Sequence, residues 1–250
     1  MKYFEQIILN MIGGAIVVIL DRLYLKLTKR YYGYGFKKIF GKDAEDNFFI
    51  VYGRMQLLPC FDQNQNPLKW PYFKPGTDKV FNISSPISFT ETKSAKYLSE
   101  AFGKAINTAP KLMSDYEIQE KLDISFCSLG GFNNFKTIDV LECEENNFFE
   151  MDLSESGGII SKKDKEKIFS IDGTYDYGLI VKIIPKSFPN RVWIAVAGLG
   201  EWGTSGAAWF LSRNWGKIKK MVDSKPFGLI IRVRAGKDES AEIVHSIACH

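Results

Sequence analysis

Short runs of consecutive apolar residues alternate along this chain with longer stretches in which apolar residues recur every three to four positions. Phe48 to Arg54 (FFIVYGR) reads as a buried strand ending on a glycine turn, and Asp123 to Leu129 (DISFCSL) as a second. Further strands are predicted at 147–151, 168–171, 177–184, 192–197 and 227–233. Apolar runs of this kind belong to strands covered on both faces. Between them, Ala95, Leu98, Ala101, Phe102 and Ala105 form one stripe, which predicts a helix from about Glu91 to Asn107 capped by Ser88 or Thr90. A second helix is predicted to begin near Thr137, and a third to run from Thr204 to about Val222. Strand, turn, helix and strand in that order build a parallel sheet with crossover helices. The expected fold class is α/β: a Rossmann-like, mostly parallel sheet with flanking helices over residues 47–250. Residues 56–83, rich in Pro, Asn, Gln and Gly and carrying Trp70, Tyr72 and Phe73, show no clear period. A stretch of that length is expected to be a functional loop or lid.

The N-terminal part follows a different pattern. Ile7 to Leu20 (IILNMIGGAIVVIL) is apolar apart from Asn10. A basic run follows directly: Arg22, Lys26, Lys29, Arg30, Lys37, Lys38 and Lys42, with no acid over 22–42 and with Tyr24, Tyr31, Tyr32 and Tyr34 interleaved. Apolar residues followed by bases and interfacial aromatics predict a single transmembrane and juxtamembrane helix over 1–32, with the domain that follows in the cytoplasm. Such a protein would sit in the cell's inner membrane. Residues 33–46, punctuated by Gly33, Gly35 and Gly41, read as a linker. A buried or oligomerising amphipathic helix is the alternative, and a cleaved signal peptide fits less well because only Lys2 precedes the run and no A-x-A site follows. Asn10, Gly14, Val17 and Asp21 recur on one face of this helix, with Gln6 in line. Lipid penalises a polar face, so several copies would turn it inward, around a pore in a homo-oligomer such as a tetramer. Placement of Gln6 and Asp21 at the two interfaces explains the same face without a pore.

Charge changes the picture once it is divided along the chain. Residues 43–250 hold 25 basic and 27 acidic side chains, so the formal charge of +4 belongs to the N-terminal segment and duplex DNA is not an expected partner. The cysteines, Cys60, Cys127, Cys143 and Cys249, are scattered, and both histidines, His245 and His250, lie at the C-terminus. This pattern suggests neither a metal site nor a disulfide framework.

Two glycine-rich turns carry the candidate chemistry. In RVWIAVAGLGEWGTSGAA, a predicted strand runs into Gly198, Gly200, Gly203 and Thr204 and then into a small-residue helix. A GxGxxG turn in that context brings backbone N–H groups and a helix N-terminus to a phosphate, with Thr204 as hydroxyl donor or cap. Ser128, Gly130, Gly131, Asn133 and Asn134 (in SLGGFNN) also follow a predicted strand, where amides can read a base or ribose edge. Arg54 offers a cation to a phosphate. Each turn also fits a tight βα connection with no ligand. The acid expected for a nicotinamide ribose is missing after the strand 227–233, where Arg234, Gly236 and Lys237 stand. No GxSxG, HExxH or P-loop occurs, and Asp123, Asp139 and Glu201, the nearest carboxylates, read as caps or solvated residues.

An N-terminal apolar helix joined to a domain carrying the SLGGFNN and GLGEWGTSGAA turns resembles the membrane effectors of bacterial anti-phage defence with CARF-like or SLOG-like sensory domains, the Hailong-type channel effector being one such family. The resemblance lies in domain order over about 1–21 and 45–240. It implies oligomerisation, a nucleotide second messenger or short single-stranded oligonucleotide as ligand, no further cofactor, and a toxic pore. The expected function is thus a nucleotide-gated membrane effector without catalysis. Two alternatives are a membrane-tethered nucleotide-processing enzyme (an N-glycosidic hydrolase or transferase) and an NAD(P)-dependent oxidoreductase.

Overall fold

Seven strands build one sheet, and the chain reaches its edges by two kinds of connection. The computed structural model describes residues 17–23, 27, 30–54, 60–61, 67–68, 71–73, 80–82, 87–152, 157–165 and 168–249. Helix α1 covers 30–40, with further helical residues at 17–23 and 27. Strand β1 (Phe48–Tyr52) follows, and two short antiparallel pairs, β2 (Cys60–Phe61) with β3 (Pro67–Leu68) and β4 (Pro71–Phe73) with β5 (Val80–Asn82), lie within the stretch expected to be a loop. Then come α2 (Phe89–Ile106), β6 (Lys111–Ser114), β7 (Ser125–Leu129), α3 (Phe135–Glu142), β8 (Phe149–Asp152), β9 (Gly158–Ser161), β10 (Ile168–Phe169), β11 (Tyr175–Ile183), β12 (Trp193–Gly198), α4 (Glu201–Val222), β13 (Phe227–Arg234) and β14 (Lys237–Ala248).

The sheet order is β14-β13-β11-β12-β7-β1-β6. From β12 to β6 every pairing is parallel, whereas β11 runs antiparallel to both its neighbours and β14 antiparallel to β13. Five strands therefore share one direction and the sheet is mostly parallel, with helices on both faces. The unit β12–α4–β13 departs from a Rossmann crossover, because β11 stands between its two strands. That insertion decides the chemistry of the glycine turn.

Alternation along the strands sends two sets of side chains to two cores, as the period of two requires. Phe48, Ile50, Cys127, Leu129, Ile194, Val196, Leu229 and Ile231 face α1, α2 and α4. Phe49, Val51, Phe126, Leu179, Val181, Trp193 and Ala195 face α3 and the small sheet β10-β9-β8. The far edge is tied down separately. Buried Asp238 of β14 accepts hydrogen bonds from Ser205 Oγ (2.7 Å) and Tyr97 Oη (2.9 Å) and pairs with Lys93 Nζ (2.6 Å), joining β14 to α4 and α2.

Residues 33–46, expected as a linker, are instead helix to residue 40 and then a 3₁₀ turn, Lys42–Glu45. Phe36, Ile39 and Phe40 are fully buried in the helical-face core. Phe36 stacks on Phe40, meets Phe102 and Trp215 edge-on, and Tyr32 meets Trp215. Gly33 and Gly35 are what let α1 approach: a Cβ there would stand 3.2 Å from Ile106 Cγ2 and 3.3 Å from the Trp215 ring. Glycine here marks helix packing rather than a break. Before residue 30 the described apolar residues do not join the core: Val17, Val18, Ile19, Leu20, Leu23 and Leu27 are all exposed. Among the described residues no helix is long and apolar enough to cross a membrane. Most of the apolar run, with Asn10 and Gly14, lies outside the described residues. Val17 and Asp21 are exposed helical positions.

Candidate functional site

The parallel half of the sheet places the two glycine turns side by side. β7 and β12 are hydrogen-bonded parallel neighbours, so Gly130 and Gly198, at their carboxyl ends, open on one cleft. Its volume is about 760 Å³, within the range of small-molecule sites. Gly130, Gly131 and Asn133 form one wall, and Gly198, Gly200 and Thr204 the other. Thr90 and Glu91, from the first turn of α2, and Glu201, from the first turn of α4, also line it, with Met151 and Asp152 of β8 across the opening.

The remaining predicted site residues do other work. Ser128 and Asn134 are fully buried. Ser128 Oγ accepts from Thr137 Oγ1 and donates to the Ile194 carbonyl. Asn134 caps α3 by accepting from the Lys136 N–H, and its amide donates to the Val51 and Leu129 carbonyls, tying β1 to β7. Arg54 is exposed, lies over the Tyr116 ring at 5.5 Å, and does not line the cleft. Gly203 packs under β11, where a Cβ would be driven into the Tyr177 carbonyl oxygen.

The GLGEWG turn differs most from expectation. Asp176, 5 % exposed, lies at the start of β11, which its antiparallel course brings beside the carboxyl end of β12. Asp176 Oδ1 accepts from the Gly200 N–H (3.1 Å) and the Tyr177 N–H (2.7 Å), and Oδ2 from the Gly203 N–H (2.7 Å). A carboxylate of the protein therefore occupies two donors that a Rossmann turn offers to a phosphate. Gly200 has φ −119°, an extended backbone, so its role is close approach: a Cβ would stand 2.6 Å from Asp176 Oδ2.

Comparison with known protein families, curated proteins and solved structures finds no match for this chain.

Glu91 is the residue that sequence reasoning passed over. It is 3 % exposed, accepts the Gly53 N–H at Oε2 (2.9 Å) and the Asn133 amide at Oε1 (3.1 Å), and so holds the ends of β1 and β7 together. Gly130 (φ +94°) curls over it, where only glycine fits: a Cβ would sit 2.5 Å from Oε1. Burial pushes the Glu91 carboxyl up to about 7; the Asn133 and Gly53 hydrogen bonds oppose that shift and the Asp115 charge adds to it. Its only sequence signal was its place in the first turn of a predicted helix. Among the described residues the charged groups lining the cleft are Glu91, Asp152 and Glu201, all acids.

Proposed function

We infer that the cleft binds a nucleotide-type ligand and that the domain relays this binding to the N-terminal helix, as in a ligand-gated membrane effector. One observation carries the reading: α2 and α4 each begin at the cleft and end on α1. Thr90 and Glu91 of α2 and Glu201 and Thr204 of α4 line the cleft. At the other ends, Phe102 of α2 and Trp215 of α4 pack on Phe36. A ligand that binds two arrangements of these helices unequally shifts α1 between them, by no more than that difference in affinity. Pore formation and assembly into a closed homo-oligomer extend the same proposal; the exposed apolar residues Val17, Val18, Ile19, Leu20, Leu23 and Leu27 give them a surface to act through.

The test uses full-length protein in dye-loaded vesicles with ribonucleotides and short oligoribonucleotides as probes. Release on adding one probe, lost in Gly131→Val, supports the reading. Binding without release by any probe removes the effector function and leaves the binding site.

A second reading has its own support. Glu91, a carboxyl pushed up to about 7 in a glycine-lined cleft, suits a general acid in N-glycosidic cleavage. Liberation of free base from a nucleoside or nucleotide, abolished in Glu91→Gln, would favour that enzyme over the sensor.

A further inference from the structure

We propose that the GLGEWG turn receives the sugar–base part of its ligand and not a phosphate, so that the cleft selects a nucleoside over its phosphorylated form. The inference rests on the reading that the ligand is nucleotide-like, and narrows it.

A glycine turn at a helix N-terminus attracts phosphate because unpaired N–H groups and the positive end of the helix dipole converge on one point. Here both attractions are reduced. The Gly200 and Gly203 N–H groups donate to Asp176, whose negative charge sits at the first turn of α4. Glu201 adds a second carboxylate in that same turn, and it lines the cleft. On the facing wall, Glu91 occupies the first turn of α2, so the other helix start is also met by an acid of the protein. A phosphate placed between these walls would meet the charges of Asp176 and Glu201, and like charges repel.

A sugar and base find better partners. Carboxylates accept hydrogen bonds from ribose hydroxyls, the Asn133 side chain and the Thr204 hydroxyl line the wall, and Met151 and Leu199 offer apolar contact to a base. Replacing Gly131 with a larger residue would crowd this space and not the protein, because a Cβ there lies 3.7 Å from the Gly198 carbonyl oxygen.

Calorimetric titration of full-length protein in detergent with the four ribonucleosides, each beside its 5′-monophosphate, decides the matter. The expected result is one nucleoside bound at least about tenfold more tightly than its monophosphate. In Asp176→Asn, and in Glu201→Gln at an exposed position where folding is not at stake, that preference falls by about threefold or more. A monophosphate bound as tightly as its nucleoside, or more so, overturns the proposal and leaves the nucleotide reading standing. An unchanged preference in both folded variants overturns the part assigned to these carboxylates. Binding of none of these compounds overturns the proposal, while the release assay with short oligoribonucleotides still decides the reading on which it rests.

Discussion

The two ends of the sheet share their strands and helices and differ in charge, side-chain type and packing. At the carboxyl ends of β7 and β12, glycines and the first turns of α2 and α4 surround a cleft whose charged lining residues, among those described, are carboxylates. At the opposite end, Gly41 lies against Val192 and Ser125, where β12 and β7 begin, and α1 crosses the last turns of α2 and α4. That end holds a second pocket of about 600 Å³ with Lys37, Lys38, Lys42, Lys182 and Arg191 in its walls. Helix dipoles account for part of the division: Glu91 and Glu201 stand in the first turns of α2 and α4, and Lys104, Lys219 and Lys220 in their last turns, where each stabilises its helix. Side chains that complete a helix in this way remove what would attract an anion. A glycine turn at a helix start is therefore not by itself a phosphate site.

The comparison breaks most visibly at α1. If the α1 end is a structural foundation and not a tether, a chain beginning at residue 43 loses Phe36, Ile39 and Phe40 and fails to fold, whereas one beginning near residue 30 folds. Phe36→Ala alone is expected to cost about 3–5 kcal/mol, measured by denaturant unfolding. A cooperative, native-like transition in the 43–250 chain would return α1 to the role of linker.

The next effect separates the two glycine turns. Gly203→Ala forces a Cβ into the Tyr177 carbonyl under α4 and is expected to destabilise by about 3 kcal/mol. Gly131→Ala meets only ordinary contacts and is expected to change stability by less than about 1 kcal/mol while narrowing the cleft. Thermal unfolding of the two variants side by side checks this. Equal losses would show that both turns are packing devices.

These contrasts mark what the sequence made legible. The central strands were readable because FFIVY, ISFCSL, VWIAVA and FGLIIRV are apolar apart from Ser125, Ser128 and Arg232, as burial on both faces demands. The cleft was readable as two glycine turns at strand ends. β6 was not, because KLMS is short and its first two residues are exposed at the sheet edge; β14 was hidden by its polar, edge-strand composition. Nothing local in TYDYG told that β11 inserts antiparallel beside β12, and without that insertion Asp176 has no route to the turn. Gly33 and Gly35 misled because close helix packing and a flexible linker use the same residue.

A smaller effect tests Glu91 by its pH dependence. Its carboxyl stands at about 7 in the fold against an ordinary 4.5, so the native state binds the proton more tightly than the unfolded chain. The resulting stabilisation is full below about pH 4.5 and is lost as pH rises through 7. Between pH 5 and pH 8 the wild type should lose about 2 kcal/mol relative to Glu91→Gln, followed by urea unfolding at each pH. Parallel curves for the two proteins would mean that the carboxyl titrates normally and that the acid role has no physical basis.

The smallest effect concerns the α1 end. Lys217, Lys220 and Lys225 are exposed there, and Lys219 lies over the Tyr31 ring at 5.3 Å. Lys38 lies over Tyr34 at 5.4 Å, but it also pairs with Asp223, so its charge is already matched within the domain. If the proposed membrane attachment is right, the unmatched lysines face anionic headgroups and each adds on the order of 1 kcal/mol to binding. Lys217→Gln, Lys220→Gln and Lys225→Gln together should then weaken association of full-length protein with phosphatidylserine vesicles at low salt. Association with phosphatidylcholine vesicles should not change, and at high salt the difference should shrink as the charges are screened. The same loss on both lipids would show that the lysines support the fold near α1, and that charge gives this end no orientation toward a membrane.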